Sequence, residues 1–299
     1  MDPNGPTSDS GDVCQGDGAK SILRKNALHK ERRYGVAPVV DYYELSLGAR
    51  LKMPCNCSRG RRMKKWVKAL LPKPVRQNLS QFREEWFDIY ARKSYSHEGE
   101  DILLDRFLEG RPSGFYVDVG AHHPRRFSNT YRLYCRGWRG LNIDANPGSM
   151  TLFRRLRPRD INVEAAVSST RQELTYYVFN EPALNTFCKS LALERLSDTY
   201  SIAKEITVWT SPLSQLLDEY VPTGTRIDLM TVDVEGLDYE VLQSNDWALY
   251  SPEFILVECL DAVMLEQANS DPVAQLLFRH DYLIVAKTMN TVFFRLKRA

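Results

Sequence analysis

Asp118 and Gly120 end the apolar run "FYVDVG", and Asp144 ends the next such run, "RGLNID". A glycine at the end of a buried strand lets the backbone approach a ligand with no side chain intervening. A dinucleotide fingerprint would add two more glycines, so that a helix N-terminus could meet a pyrophosphate. This chain has His122, His123, Pro124, Arg125 and Arg126 there instead. A carboxylate such as Asp144, roughly 20 residues beyond the glycine turn, accepts hydrogen bonds from both hydroxyls of a ribose. The pattern asks for a cofactor with a ribose and no pyrophosphate, which suits S-adenosylmethionine. Asp118, or the backbone near it, can meet the ammonium of the methionine end. Ser128, Asn129 and Thr130 can meet its carboxylate through hydroxyl, amide and N–H groups. Ala145 follows Asp144 into the same site. Ala165, Ala166 and Val167, read as the end of the third strand, can pack on adenine.

A second acidic group lies further along. "TVDVEGLDYE" carries Asp233, Glu235 and Asp238, and Glu258 ends the next apolar run, "PEFILVEC". Methyl transfer to an alcohol needs the hydroxyl proton removed, by a base or with a metal. Glu235, with Asp233 beside it, is the expected catalytic pair. A hard divalent ion such as magnesium would suit Asp233, Glu235 and Glu258, and the sequence does not choose between the two routes. Asp238 also reads as a helix cap. His122 and His123 read as loop-shaping residues, since a metal needs further ligands at suitable spacing. Asn185 and Thr186 in "ALNTF" are candidates for substrate contact.

These residues need a scaffold that brings strand ends together. From Ser94 the pattern alternates between strand and helix. "SHEGEDILLDRFLEG" reads as a helix with Ser96 as cap and Glu98, Glu100 and Asp101 at its positive end. "SNTYRLYCRGW" is a helix ended by Gly137. "NPGSMTLFRRLRP" starts a helix with Asn146 as cap and Pro147 in first position. "INVEAAVS" and "ELTYYVFN" read as strands, and the stretch from about 173 to 210 as an insertion that covers the substrate. "SPLSQLLDEY" is a helix, and strand–helix alternation resumes with "RIDLMTVDVEG". The final pair, "LIVAK" and "TVFFRL", is separated by a tight turn at Met289 and Asn290, so the last strand should run antiparallel. The expected fold is α/β, a mostly parallel sheet with helices on both faces and a C-terminal antiparallel hairpin strand.

The chain has 299 residues, 43% hydrophobic and 26% charged, a globular composition. A net charge of +2 is too small to imply nucleic acid by itself. No stretch is long and apolar enough to span a bilayer. The scattered cysteines, among them Cys55 and Cys57, form no CxxC pair and read as reduced thiols in a cytoplasm. Residues 1–58 are rich in Gly, Pro, Ser and Asp and read as disordered. Residues 59–93 form a basic and then aromatic leader, with Trp66, Val67, Leu70 and Leu71 on one face of a short helix. The region before Met63 is expected to be dispensable. The basic leader carries two competing readings, RNA methylation and a peripheral membrane module, the second weak because prolines break its helix. Domain limits are set at 1–58, 59–93 and 94–299. Oligomeric state is not legible.

From about Ser94 to Leu296 the sequence resembles the FkbM-type methyltransferases, a branch of the class I S-adenosylmethionine-dependent enzymes. "SYSHEGEDILLDRF", "FYVDVGAHHPRRFSNTYRLYCRGWRGLNIDANP", "RPRDINVEAAVS", "FNEPALNTF" and "IDLMTVDVEGLDYEVLQSNDW" carry the likeness. His97 departs from the glutamine common at that place. The resemblance implies a Rossmann-like methyltransferase with His122 beside the sulfonium cofactor. It also implies O-methylation of a hydroxyl on a small-molecule or glycan acceptor: a sugar, a glycolipid or a secondary metabolite.

Overall fold

The computed structural model describes residues 90–259 and 264–297, with isolated positions between 72 and 85. The expectations for residues 1–58, the helix around Trp66, and Cys55 and Cys57 lie outside the described residues. The chain divides into two compact units. Among the described residues, one holds 115–124, 139–259 and 264–297, and the other holds 90–114 and 125–138.

The larger unit is built on a seven-stranded sheet. Its strands are β1 (Phe115–Val119), β2 (Arg139–Asp144), β3 (Ile161–Glu164), β7 (Leu229–Val232), β8 (Phe254–Glu258), β9 (Tyr282–Lys287) and β10 (Thr291–Leu296). Their order is β3-β2-β1-β7-β8-β10-β9. β1 pairs in parallel with both β2 and β7, whereas β10 is antiparallel to β8 and to β9. The expected α/β fold with its closing antiparallel hairpin strand is therefore present. Strand order reverses beside β1, the place where open α/β sheets bind ligands at their carboxyl ends. Val117, Leu141, Met230, Ile255 and Phe294 are wholly buried in one apolar core, which explains why these strands read as continuous apolar runs.

A smaller sheet, β4-β6-β5, uses β4 (Ala166–Val167), β5 (Glu173–Phe179) and β6 (Ile202–Ser211). β5 and β6 run antiparallel, joined by a short 3₁₀ turn (Pro182–Leu184) and a helix (Lys189–Glu194). The stretch read as an insertion thus holds two paired strands with a 3₁₀ turn and a helix between them. Its β6 segment, "IAKEITVWTS", alternates half-buried Ile202, Ile206 and Val208 with exposed neighbours, a period-two signal that was there to be read. Ala166 and Val167 do not extend the third strand. β3 stops at Glu164, and these two residues pair with Thr210 and Ser211 instead.

Beneath β1, β2 and β3 lies a buried polar cluster. Arg157 and Asp160 form a fully buried ion pair at 2.8 Å. Asp160 also accepts from the Tyr116 hydroxyl at 2.7 Å and from Asn142 at 3.1 Å, and Arg157 donates to the Tyr116 oxygen at 2.7 Å. Burial pushes the Tyr116 hydroxyl well above its ordinary pKa, so it stays a donor. Gly140 is needed here, because a Cβ would sit 2.0 Å from the Tyr116 ring.

In the smaller unit the helix α1 (Glu100–Phe107) follows Gly99, whose φ of 88° lets the chain turn into it. Ser96 is not the cap. Its hydroxyl takes the Asp101 N–H at 3.2 Å, and Asp101 in turn accepts from Ser94 at 2.6 Å and from the Tyr95 N–H at 3.0 Å. Glu100 and Asp101 are buried tethers of this loop, not solvated charges at a helix end. The helix α2 (Tyr131–Arg136) ends at Gly137 as expected. Asp105 pairs with both Arg132 and Arg136.

Candidate active site

At the end of β1 the chain turns through Gly120, with φ of 80°. A Cβ at this position would lie 1.8 Å from the carbonyl oxygen of Asp233. The glycine is therefore demanded by the neighbouring backbone as well as by its own dihedral angle. The N–H groups of Gly120 and Ala121 both donate to the Ile143 carbonyl, at 2.9 and 3.0 Å. This fastens the turn to the end of β2.

Asp144 stands beside that turn. Its Oδ2 accepts the N–H of His122 at 2.8 Å, and its Oδ1 accepts the N–H of Asn146 at 2.8 Å. Asn146 is therefore not the cap of the next helix, which runs from Ser149 to Leu156 after Gly148 at φ 84°. The chain bends first so that its N–H can reach the carboxylate, and a positive φ completes the bend. Asp144 is only 7% exposed. Burial raises its pKa from the ordinary 3.8, opposed by the N–H bonds from Asn146 and His122. Each oxygen retains a second lone pair, so the carboxylate can still accept from a ligand hydroxyl. Ala145 is half-buried next in the chain, and the Ala165 N–H donates to the Asp144 carbonyl at 3.0 Å. His122 has φ of 51°, a left-handed backbone that turns the loop under Asp144. Asp118 is 6% exposed, and its charge acts on Arg157 of the buried cluster.

The acidic group gathers at the ends of β7 and β8. Oxygens of Asp233, Glu235 and Glu258 lie within 4.8 Å of one another. The sequence placed these three residues at one strand-end region, and the structure brings them together. Glu235 has φ of 55° and Gly236 φ of 106°, so the loop turns sharply here. Asp238 opens the helix Asp238–Gln243 and accepts the N–H of Val234 at 3.1 Å and of Gly236 at 3.3 Å. It thus braces the loop that holds Glu235. Burial, opposed by those N–H bonds and reinforced by Glu235, pushes its pKa up to about 7.

Sequence reasoning missed two partners of Glu235, both from the segment between β5 and β6. The Arg195 guanidinium pairs with Glu235 Oε2 and donates to the Leu184 carbonyl at 2.9 Å. The Thr186 hydroxyl donates to the Glu235 carbonyl at 2.6 Å. Thr186 is wholly buried, and Asn185 Oδ1 accepts the Phe179 N–H at 2.8 Å. The Thr186 hydroxyl is therefore spent on the acidic loop and does not stand open to a substrate. Nothing in "ALNTF" alone signals these long-range bonds.

A divalent ion needs several oxygens at about 2.0–2.6 Å. The separations among Asp233, Glu235 and Glu258 allow that. Arg195 already balances the charge of Glu235, which makes the fit to a cation poorer.

In the smaller unit Ser128 and Thr130 are buried at the start of α2, with Asn129 half-buried between them. Ser128 Oγ accepts the Tyr131 N–H at 3.1 Å and lies 3.4 Å from the Thr130 hydroxyl. The Ser128 N–H donates to the Tyr95 carbonyl at 3.0 Å.

Residues 118–284 match the family model for the methyltransferase FkbM domain. No curated protein matches the chain. Among solved structures, a TehB-like SAM-dependent methyltransferase from Corynebacterium glutamicum is 12% identical, with TM-score 0.34, covering 75% of this chain and 97% of that one. An O-methyltransferase from Bacillus cereus, solved in complex with SAH, is 11% identical with TM-score 0.30, covering 79% and 97%. A Burkholderia thailandensis 1,6-didemethyltoxoflavin-N1-methyltransferase is 13% identical with TM-score 0.36, covering 84% and 94%.

Proposed function

The chain belongs to the methyltransferase FkbM family, and we propose that it transfers the methyl group of S-adenosylmethionine to a hydroxyl oxygen of a small-molecule or glycan acceptor. The observation that carries this reading is the placement of Asp144. A carboxylate at the end of β2, beside the Gly120 turn and held by the N–H groups of His122 and Asn146, is built to accept ribose hydroxyls. The absence of further glycines after Gly120 suits a cofactor with no pyrophosphate. In this reading Asp118 serves the methionine end, and His122 lines the sulfonium side.

The acceptor oxygen attacks the methyl carbon while the carbon–sulfur bond breaks in line. A methyl ether and S-adenosylhomocysteine result. As the oxygen bonds to carbon it acquires positive charge, and its proton becomes strongly acidic. A carboxylate, too weak a base for a free alcohol, can take that proton late in the transfer. In this reading Glu235, with Asp233 beside it, receives it. The Arg195 contact fixes one oxygen of Glu235 and orients the other. A magnesium ion on Asp233, Glu235 and Glu258 would instead acidify the hydroxyl before transfer. The bare-carboxylate route is preferred, because Arg195 already neutralises Glu235.

Calorimetry with S-adenosylhomocysteine tests the cofactor assignment. Asp144→Ala should weaken binding by roughly 2–4 kcal/mol, the worth of two charge-assisted hydrogen bonds. Unchanged affinity would remove the ribose assignment. The acceptor is sought by product mass after incubation with labelled cofactor and a mixture of host glycans and metabolites. Once it is known, Glu235→Gln should keep cofactor affinity and lower turnover roughly 100-fold or more. Activity abolished by a chelator and restored by magnesium would select the metal route.

A further inference from the structure

Arg195 stands at the C-terminal end of the helix Lys189–Glu194. That helix lies against the acidic loop. A Cβ at Gly236 would sit 3.4 Å from the Cys188 Cβ and 3.5 Å from a methyl of Leu191. The Arg195 side chain is only 12% exposed and the Glu235 side chain 20%. A guanidinium is a planar fork of N–H donors with no acceptor. Here Nη1 donates to the Leu184 carbonyl at 2.9 Å and Nη2 to Glu235 Oε2. Among the described residues the remaining N–H groups of the fork, and Glu235 Oε1, make no hydrogen bond. The pair therefore presents open donors beside an open acceptor. Leu193 and Leu196, on either side of Arg195 in the chain, are exposed. They offer apolar surface to the C–H face of a ring.

We propose that Arg195 is a specificity-determining residue that reads a second hydroxyl on the acceptor, on the carbon next to the one methylated. The substrate class is then a ring bearing a vicinal diol. The attacking hydroxyl gives its proton to Glu235 Oε1 and needs its lone pair for the methyl carbon. An N–H donated into that same oxygen would draw density from the nucleophile and oppose attack. Donation to the neighbouring oxygen carries no such penalty and fixes the ring through a second point, which is what an in-line transfer requires. The neighbouring hydroxyl accepts from Arg195 and has its own proton to give. Asp233 and Glu258, whose oxygens lie within 4.8 Å of those of Glu235, are carboxylates that can take it. A ketone or an ether at that carbon could not donate in return. This inference rests on the reading of Glu235 as the proton acceptor.

The test uses the full chain, S-adenosylmethionine with a labelled methyl group, and a panel of methyl pyranosides, each beside its monodeoxy counterparts. The native chain should methylate a pyranoside. Loss of the hydroxyl next to the methylated one should lower kcat/KM about tenfold or more, the size of one hydrogen bond. Arg195→Met keeps the apolar stem and removes the donors, so it should lose that preference, and Arg195→Lys should restore part of it. A purely structural Arg195 would lower all rates alike and leave the ratio unchanged. An unchanged ratio in Arg195→Met therefore overturns the proposal. Equal native rates on the diol and its deoxy counterpart overturn it whether or not the variant folds, and so does transfer to none of the pyranosides. Glu235→Gln separates the two levels. If it keeps native turnover on the pyranosides, the base assignment falls first. If it loses turnover while Arg195→Met keeps the native ratio, only the diol reading falls.

Discussion

The Thr186 hydroxyl donates to the Glu235 carbonyl at 2.6 Å and accepts the Cys188 N–H at 2.9 Å. One buried side chain thus fastens the segment after β5 to the loop after β7. Glu235 has φ of 55°, a conformation that a non-glycine residue keeps only when its surroundings enforce it. Thr186→Val preserves shape and removes both bonds. It should destabilise the protein by about 1–3 kcal/mol, the cost of buried groups left unsatisfied. Denaturant unfolding measures the loss, and affinity for S-adenosylhomocysteine should change little.

Gly120→Ala should be worse tolerated. The new methyl would meet the Asp233 carbonyl oxygen at 1.8 Å, in a backbone at φ 80°. Strain and overpacking each cost of order 1–3 kcal/mol. The two ends of β1 and β7 would have to separate, so cofactor affinity should fall with stability. A variant that binds S-adenosylhomocysteine normally would show that this close approach is not needed for the site.

Arg157 offers a stability prediction remote from the acidic loop. It is fully buried against Asp160, with Tyr116 bonded to both. Arg157→Met would leave the Asp160 carboxylate without its cation. Breaking a buried pair in this way costs about 3–5 kcal/mol. Thermal unfolding should show a large drop in melting temperature at neutral pH.

The parts of this molecule that were legible in the sequence are those with a local signature. β1, β2, β7 and β8 read as apolar runs because both faces of a central parallel strand are buried. Asp144 and Glu235 were legible because an acidic residue just after such a run marks a strand end. The closing hairpin showed itself in the short gap at Met289 and Asn290. What stayed hidden depends on contacts between distant residues. The Arg195–Glu235 pair spans 40 positions, and the Tyr116–Asp160 bond spans 44. Ser96 and Asn146 carried the right residue types for helix caps, yet positive-φ glycines, Gly99 and Gly148, occupy those places. The serine and asparagine were drawn instead to Asp101 and Asp144. Local propensity gave way to a buried carboxylate that needed its donors.

Asp238 gives the loop that holds Glu235 a dependence on pH. Burial raises its pKa to about 7, with Glu235 adding to the effect and the N–H bonds from Val234 and Gly236 opposing it. In the unfolded chain the same carboxyl titrates near its ordinary 3.8. Between these values the folded state binds the proton that the unfolded state has released. The stabilising contribution is therefore full below about pH 4 and is lost as pH rises through about 7. Asp238→Asn mimics the neutral form and keeps an oxygen for the Val234 N–H. The native chain should lose stability relative to this variant between pH 5 and pH 8, over about the last two of the three units that separate the two pKa values. Matched denaturant titrations at several pH values measure the difference. A stability gap that stays constant over that range would show that Asp238 is ionised throughout, and the loop around Glu235 would then be braced by a charge and not by a carboxyl that titrates.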